Sequence, residues 1–342
     1  MNFFNWCREA LKGQRVIEFP AEGYSAISGM KNSDDPFKRS FFQFIQKVAP
    51  TERDAAIRQL FLDDIISRIA GIVEERAPNH KFILAPCGSS LNGTFIPESD
   101  IDIALFFYPK TPDPKTIVNA LFKGMKDILI PDSFKPILQA SVPLVKFEID
   151  PGIQVDLSID ELHGPLNVES IRQYQKMHPY VLPIHLFVKC LLFLKQLDSP
   201  YTGGLSSYTV LCMIVAFLQN KGPFEDVIDA LTGFLDFYGN EFNYILVGID
   251  MKEGGQFFSR YKTGTVSWQS PATLLIKDPL NFENKLGHNS FSLQEIREAF
   301  QESHNLIVTG QGVKLLAQFD TLLELLDSKK MIIDEHLLNQ SP

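Results

Sequence analysis

The sequence predicts a small α/β domain followed by a mostly helical one. Three observations carry that expectation. Between residues 82 and 159 the apolar residues alternate or cluster in strand-length runs broken by turn residues. After His163-Gly164-Pro165 the spacing changes to the i, i+3, i+4 period of helices. A length of 342 residues leaves room for about two domains.

The elements follow in order. Residues 1–35 mix Gly23, Ser25, Ser28, Gly29 and Ser33 with hydrophobics and read as an irregular arm. Phe37 to Val48 reads as a short helix with aromatics on one side. Thr51 then caps a longer helix: Glu52 and Asp54 suit its positive end, and Ile57, Leu60, Phe61, Ile65, Ile66 and Ile69 form its apolar stripe. It should end near Pro78. A strand over Phe82–Ala85 leads to a Gly/Ser turn at 88–90. Ile101, Ile103 and Leu105 alternate with Asp100, Asp102 and Ala104, the pattern of a half-buried strand. Pro109–Pro114 is a loop and Thr116–Leu129 a helix. Val142–Glu148 and Ile153–Ile159 are two strands joined by a turn at Asp150-Pro151-Gly152. Helices are expected at Val168–Met177, Pro183–Leu197, Ser206–Asn220 and Glu225–Tyr238. Residues 240–290 are irregular with strand-like pieces, and Ser292–Ser303 and Val313–Ser328 are helical again. The expected division is 1–50, an arm and helix packing on the helical domain; 51–162, the α/β domain; and 163–342, the helical domain.

Composition narrows the class. With 45% hydrophobic and 21% charged residues the chain is neither disordered nor collagen-like nor a disulfide miniprotein. Its 32 basic and 41 acidic side chains give a net charge of -9, which argues against nonspecific coating of nucleic acid or anionic membrane. On composition alone it reads as an enzyme for a small molecule. Cys7, Cys87, Cys190 and Cys212 are far apart and form no CxxC pair, so reduced structural thiols are expected rather than disulfides or zinc. Met1–Arg15 has no apolar core of signal-peptide length, and the longest apolar run, Val210–Leu218, is too short for a membrane span. A soluble protein of nucleus or cytoplasm is expected.

The chemistry concentrates in Gly88-Ser89-Ser90 followed, after nine intervening residues, by Asp100-Ile101-Asp102. Two residues apart on a strand, Asp100 and Asp102 leave the same face. Adjacent carboxylates repel unless a cation lies between them, and hard oxygen donors suit Mg²⁺ or Mn²⁺. The Gly-Ser turn offers backbone N–H groups and a hydroxyl to a phosphate, with Gly88 permitting close approach. A third carboxylate, Asp156, sits between Val155 and Leu157 on another strand. Three carboxylates on adjacent strands beside a Gly-Ser loop read as a two-metal nucleotidyl-transfer site. A lone DxD would be an ordinary solvated strand edge; the combination and its spacing make the difference.

These residues resemble the DNA polymerase β-type nucleotidyltransferase superfamily, and more narrowly the noncanonical poly(A) polymerases and terminal uridylyltransferases. The likeness runs from about Asp35 to about Leu306. Pro50–Pro78 is similar to the helix before the family's catalytic strand. Val142–Phe147 and Val155–Ser158 match its strand pair carrying the third carboxylate. Thr202-Gly203-Gly204-Leu205-Ser206-Ser207-Tyr208 matches the helix opening of its central domain. Ile276-Lys277-Asp278-Pro279, continuing through Asn284, Gly287 and Phe291, resembles its nucleotide-recognition loop, residues 276–291. The nearest subgroup is the poly(A) polymerases of nuclear RNA surveillance.

The resemblance implies a mixed-sheet catalytic domain and a helical central domain with a cleft between them. It implies that Asp100, Asp102 and Asp156 bind two Mg²⁺ or Mn²⁺ ions, Asp156 also taking the proton of the RNA 3′ hydroxyl. Gly88 and Ser89 would hold the triphosphate, which Lys189 and Lys195 neutralise. Ser207 would touch phosphate, Tyr208 stack on the base and Asn167 bind the ribose. In uridylyl enzymes a histidine tends to stand five residues after the Asp-Pro; here Asn284 favours ATP, with UTP the alternative. Lys285 replaces a usual small polar or acidic residue, and His288 stands where Arg is common. A transferase for a small molecule or protein and a catalytically dead scaffold are the remaining readings. No RNA-recognition module is evident, so a monomeric catalytic subunit working with a zinc-knuckle RNA-binding partner on RNA 3′ ends, away from membranes, is the expectation.

Overall fold

The computed structural model of the chain describes residues 21–139, 142–266, 273–278 and 285–340, with Leu11 and Ile17. It divides into two compact units. The first holds residues 50–172 and returns for 326–340; the second holds 21–49 and 173–325.

In the first unit, helix α1 (Glu52–Arg76) starts as the sequence implies. Thr51 Oγ1 accepts from the Asp54 amide at 3.1 Å and the Asp54 carboxylate accepts in return from the Thr51 amide at 2.8 Å, closing a capping box. Five strands, β1 (Lys81–Cys87), β2 (Ile101–Tyr108), β3 (Lys135–Ile137), β4 (Leu144–Ile149) and β5 (Ile153–Ile159), form a sheet in the order β1-β2-β5-β4-β3. Only the β2–β5 pair is parallel. One face is buried: Ile101, Ile103, Leu105, Val155 and Leu157 pack with Leu62, Ile65, Ile69 and Val73 of α1 and Ile117 and Leu121 of α2 (Pro114–Gly124). Because strand side chains alternate, burying those residues turns Asp102 and Asp156 to the opposite face.

Helix α3 (His163–Met177) begins five residues before the expected Val168, and the first unit ends at 172 rather than 162. The reason is packing: Val168 enters the α1–sheet core, and Arg172 donates to the Leu91 carbonyl at 2.9 and 3.2 Å. The C-terminal helix also departs from expectation. It runs over Asp320–Gln340, and its last part docks on the first unit through Arg53–Asp334 (2.9 Å), Lys330–Asp54 (3.3 Å) and Lys329–Glu98 (3.2 Å).

The second unit is helical. An early helix (Pro36–Val48) sets Phe41 and Phe44 against Phe187 of α4 (Val181–Leu194). Around them lie α5 (Ser207–Lys221), α6 (Val227–Asp236) and α7 (Leu293–Val308). The stretch expected to be irregular carries a four-stranded sheet, with Val247–Asp250 central between Gln256–Ser259 and Ile276–Lys277, and Lys285–Leu286 at the edge. The expected irregular arm contains a run of tight 3-10 turns over Ala21–Asn32. Among the described residues no single helix is long and apolar enough to cross a membrane.

Candidate active site

The parallel β2–β5 pairing sets Asp102 directly beside Asp156. Asp100 lies just before β2. Across the antiparallel β4–β5 pair, Lys146 stands opposite Asp156 and places its ammonium 2.5 Å from Asp156 Oδ2 and 4.0 Å from Asp100 Oδ2. Burial, and next the Asp100 charge, hold the Asp156 carboxyl above its ordinary range, while Lys146 pulls the other way. Among the described residues no three His, Cys, Asp or Glu side chains close on a single point as metal ligands do. Lys146 stands at these carboxylates as the cation that their mutual repulsion demands. A donor set of carboxylate oxygens gathered on one cation has the chemistry of a divalent-metal site, and in that respect the residues fit the metal expected from sequence.

Gly88 opens a one-turn helix (Gly88–Leu91) directly after β1, with φ +68°. A Cβ there would lie 1.9 Å from Asp102 Oδ2, so the loop reaches the carboxylate only because residue 88 is glycine. The loop is fixed from beneath. Arg58 Nε donates to Ser90 Oγ at 2.7 Å, and its Nη2 donates to the carbonyls of Ser99 and Asp100. With its amide O and N assigned so that both are satisfied, Asn92 donates to the carbonyls of Gly88 and Ser89. Burial lowers the Arg58 pKa to about 10 against the pull of Asp102 and Asp100. Asn167 on α3 is 5% exposed, and its Oδ1 finds no partner among the described residues.

The second unit gathers other predicted residues. Ser206 caps α5 by accepting from the Thr209 amide at 3.1 Å. Ser207, the first residue of that helix, is held by His185 of α4, whose Nε2 lies 2.9 Å from the Ser207 carbonyl and 3.1 Å from its Oγ. Burial, then the Lys189 charge one turn along α4, push His185 down to about 4. Tyr208 is half-buried, and burial raises its phenol well above the ordinary range. The Thr-Gly-Gly turn before α5 is tight: a Cβ on Gly204 would meet the Leu197 carbonyl oxygen at 2.1 Å. Lys195 follows α4 and pairs with Glu302 at 2.9 Å, so its charge is already engaged. Asn284 lies outside the described residues; the pairing of Lys277 with Lys285 brackets its loop.

Sequence reasoning missed the roles of Arg58 and Lys146. Both left a signal. Arg58 occupies the i−4 position to Leu62 in the stripe Leu62, Ile65, Ile69, so an arginine is inserted into a buried face. Lys146 alternates with the buried Val145 and Phe147, which puts its side chain on the face of the aspartates.

Known proteins agree with this architecture. Residues 37–176 match the family model described as poly(A) RNA polymerase, mitochondrial-like, central palm domain, and residues 229–284 match that of the Cid1 family poly A polymerases. The poly(A) RNA polymerase CID14 of Cryptococcus neoformans is 30% identical over 274 residues, covering 77% of this chain and 35% of that protein. Its namesake in Schizosaccharomyces pombe is 26% identical over 324 residues, covering 88% of this chain and 46% of that one. The chain thus spans less than half the length of these relatives. Among solved structures, the polymerase core of TRAMP, an RNA surveillance complex, superimposes with a TM-score of 0.65 at 22% identity, covering 84% of this chain and 93% of that one. The Cid1 poly(U) polymerase gives 0.64 at 18%, covering 80% and 95%. At these identities the structural likeness speaks for the fold.

Proposed function

The chain belongs to the family of noncanonical poly(A) polymerases and terminal nucleotidyltransferases, and from that premise we propose that it adds AMP from ATP to RNA 3′ ends without a template. The observation that carries the proposal is the juxtaposition of Asp102 with Asp156 and Asp100, with the Gly88–Ser89 turn pressed against Asp102.

In the proposed reaction the RNA 3′ oxygen forms a bond to the α-phosphorus of ATP as the bond to the β-phosphate oxygen breaks and pyrophosphate leaves. Asp100, Asp102 and Asp156 would hold the divalent ions, Mg²⁺ or Mn²⁺, which supply charge neutralisation at the phosphates and acidity at the attacking hydroxyl. Asp156, with its raised pKa, is suited to accept the 3′-hydroxyl proton. Gly88 and Ser89 offer N–H and hydroxyl donors to the triphosphate. Lys189 and Ser207 bind its phosphates, with Lys195 joining them only by leaving Glu302. Tyr208 stacks on the base. The orphaned Asn167 Oδ1 is available to accept a ribose hydroxyl.

Asn284 supports ATP as the nucleotide. The Cid1 poly(U) polymerase among the structural neighbours keeps UTP as the second reading. The setting proposed is nuclear RNA surveillance or processing, with a zinc-knuckle RNA-binding protein supplying RNA affinity; a chain of net charge -9 binds RNA weakly and in a salt-sensitive manner by itself. The test is a short RNA incubated with each of the four nucleoside triphosphates and Mg²⁺ or Mn²⁺ in turn. Tailing with ATP, abolished in Asp100→Ala while the fold persists, is expected. Preference for UTP overturns the adenylyl reading, and undiminished tailing by Asp100→Ala overturns the mechanism.

A further inference from the structure

Within the second unit His185 of α4 is 1% exposed and faces the first turn of α5. Its Nε2 meets two atoms of one residue, the Ser207 carbonyl oxygen at 2.9 Å and Ser207 Oγ at 3.1 Å. Its Nδ1 is buried and finds no partner among the described residues. The ring is neutral near pH 7, because burial and the Lys189 charge one turn along α4 push its pKa down to about 4. A neutral imidazole carries one proton, on one nitrogen or the other. With the proton on Nδ1, the Ser207 hydroxyl donates to Nε2. A buried N–H then lacks an acceptor, and the Nε2 lone pair faces the carbonyl lone pairs at 2.9 Å. With the proton on Nε2, the carbonyl accepts it and only the Nδ1 lone pair goes unused. The second arrangement avoids both losses and is the one the site holds.

We infer that His185 is a positioning residue for the nucleotide: its Nε2–H clamps the Ser207 carbonyl and reserves the Ser207 hydroxyl hydrogen for a phosphate. A hydroxyl cannot donate to a nitrogen that already carries a proton; towards His185 it can only accept. Ser207 Oγ meets no other hydrogen-bond partner among the described residues. Ser207 is half-buried rather than enclosed, so its O–H turns away from the ring to whatever acceptor arrives. The start of α5, with the unpaired N–H groups of any helix opening, favours an anionic acceptor as well. This role rests on the polymerase reading, in which Ser207 binds the triphosphate, and it names the side chain that makes Ser207 a donor there.

The variants are His185→Phe, His185→Gln, Ser207→Ala and the double variant His185→Phe with Ser207→Ala, each in the full chain. Binding of ATP with Mg²⁺ is titrated by calorimetry, and KM for ATP and kcat are read from tailing of a short RNA. His185→Phe should raise Kd and KM by about tenfold, the value of one hydrogen bond to a charged acceptor, with kcat within about twofold of the parent. His185→Gln, which keeps a side-chain N–H for the same carbonyl, should restore the affinity. Ser207→Ala should cost the same factor and the double variant no more, because both changes remove one bond. Nitrogen NMR of the histidine-labelled parent, with His185 assigned by its loss in His185→Gln, should find the proton on Nε2; it decides the matter even where His185→Phe fails to fold. Parental affinity in folded His185→Phe, or a proton on Nδ1, would overturn the role. So would a His185→Phe penalty that persists beside Ser207→Ala, the result of a clamp that acts on the backbone alone. A parent that neither binds ATP nor tails RNA overturns the polymerase reading and this role with it, whereas failure among the variants of an active parent falls on His185 alone.

Discussion

Replacing Gly88 by alanine tests how tightly the phosphate-loop candidate is coupled to the carboxylates. Two costs follow from the geometry. The backbone at φ +68° is left-handed, which costs an L-residue about 1–2 kcal/mol. The new Cβ would also lie 1.9 Å from Asp102 Oδ2 and 2.7 Å from its Cγ, where ordinary contact begins at 3.4 Å. Closing that gap, 3.4 minus 1.9, moves the carboxylate or the loop by 1.5 Å. A displacement of about 1 Å in a reacting constellation costs roughly 100-fold in rate. The expected variant is therefore folded, less stable by about 1–2 kcal/mol in denaturant titration, and slower than the parent in RNA tailing by about 100-fold or more. Gly71→Ala is the control: it lies inside α1 with nothing within 4 Å, and should keep its activity while gaining up to about 1 kcal/mol. Tailing by Gly88→Ala within about threefold of the parent would refute the reasoning, because the loop and Asp102 would then be free to part without consequence.

Three further outcomes are expected. Lys146→Met removes the ammonium 2.5 Å from Asp156 and 4.0 Å from Asp100, so Mn²⁺ binding measured by calorimetry without nucleotide should tighten, by about tenfold on the Coulomb scale; weaker binding would mean that the lysine assists the ion rather than competing with it. His185 titrates at about 4 when folded against 6.5 ordinarily, so the unfolded chain takes up its proton first. Stability is full above pH 6.5 and falls toward pH 4, by about 2 kcal/mol between pH 8 and 5, and His185→Gln should flatten that part of a urea-denaturation profile; an unchanged slope would rule out burial of the neutral imidazole. Burial pushes the Cys190 thiol up to about 12 and raises Cys87 and Cys212 as well, so iodoacetamide at pH 8 should label these three only after unfolding, as read by mass spectrometry.

What was legible in the sequence was whatever had a local period. Asp100 and Asp102 declared a common face because Ile101 and Ile103 had to point inward, and Thr51 declared a helix start because Asp54 answers it across one turn. The His163-Gly164-Pro165 triplet misled for a local reason: it reads as a break, yet proline within the first helical turn forfeits only an N–H that has no partner there. The small sheet was legible only as strand-like pieces because two of its strands are two residues long, below the reach of any alternation.

The part of the site that stayed hidden is the part that makes it work electrostatically. Three carboxylates at the end of a parallel strand pair cannot stand together uncompensated. The chain answers with Lys146 from the next strand over and Arg58 from a helix more than 40 positions upstream of Asp100. Neither partner is adjacent in sequence to what it compensates, so the sequence marks each as a charge on a particular face while the fold reveals what it faces. The same holds for the C-terminal helix, whose Asp334 meets Arg53 across 281 positions. This reframes the net charge of -9. The total excludes little, because the local balance differs from it: Lys146 stands 2.5 Å from Asp156, and Arg58, bonded to the Asp100 carbonyl, adds a second positive charge nearby. The charge pattern around these carboxylates is therefore a property of strand register rather than of composition: sliding β4 by one residue against β5 would turn Lys146 to the core face and leave Asp156 facing Asp100 with no cation from β4 between them.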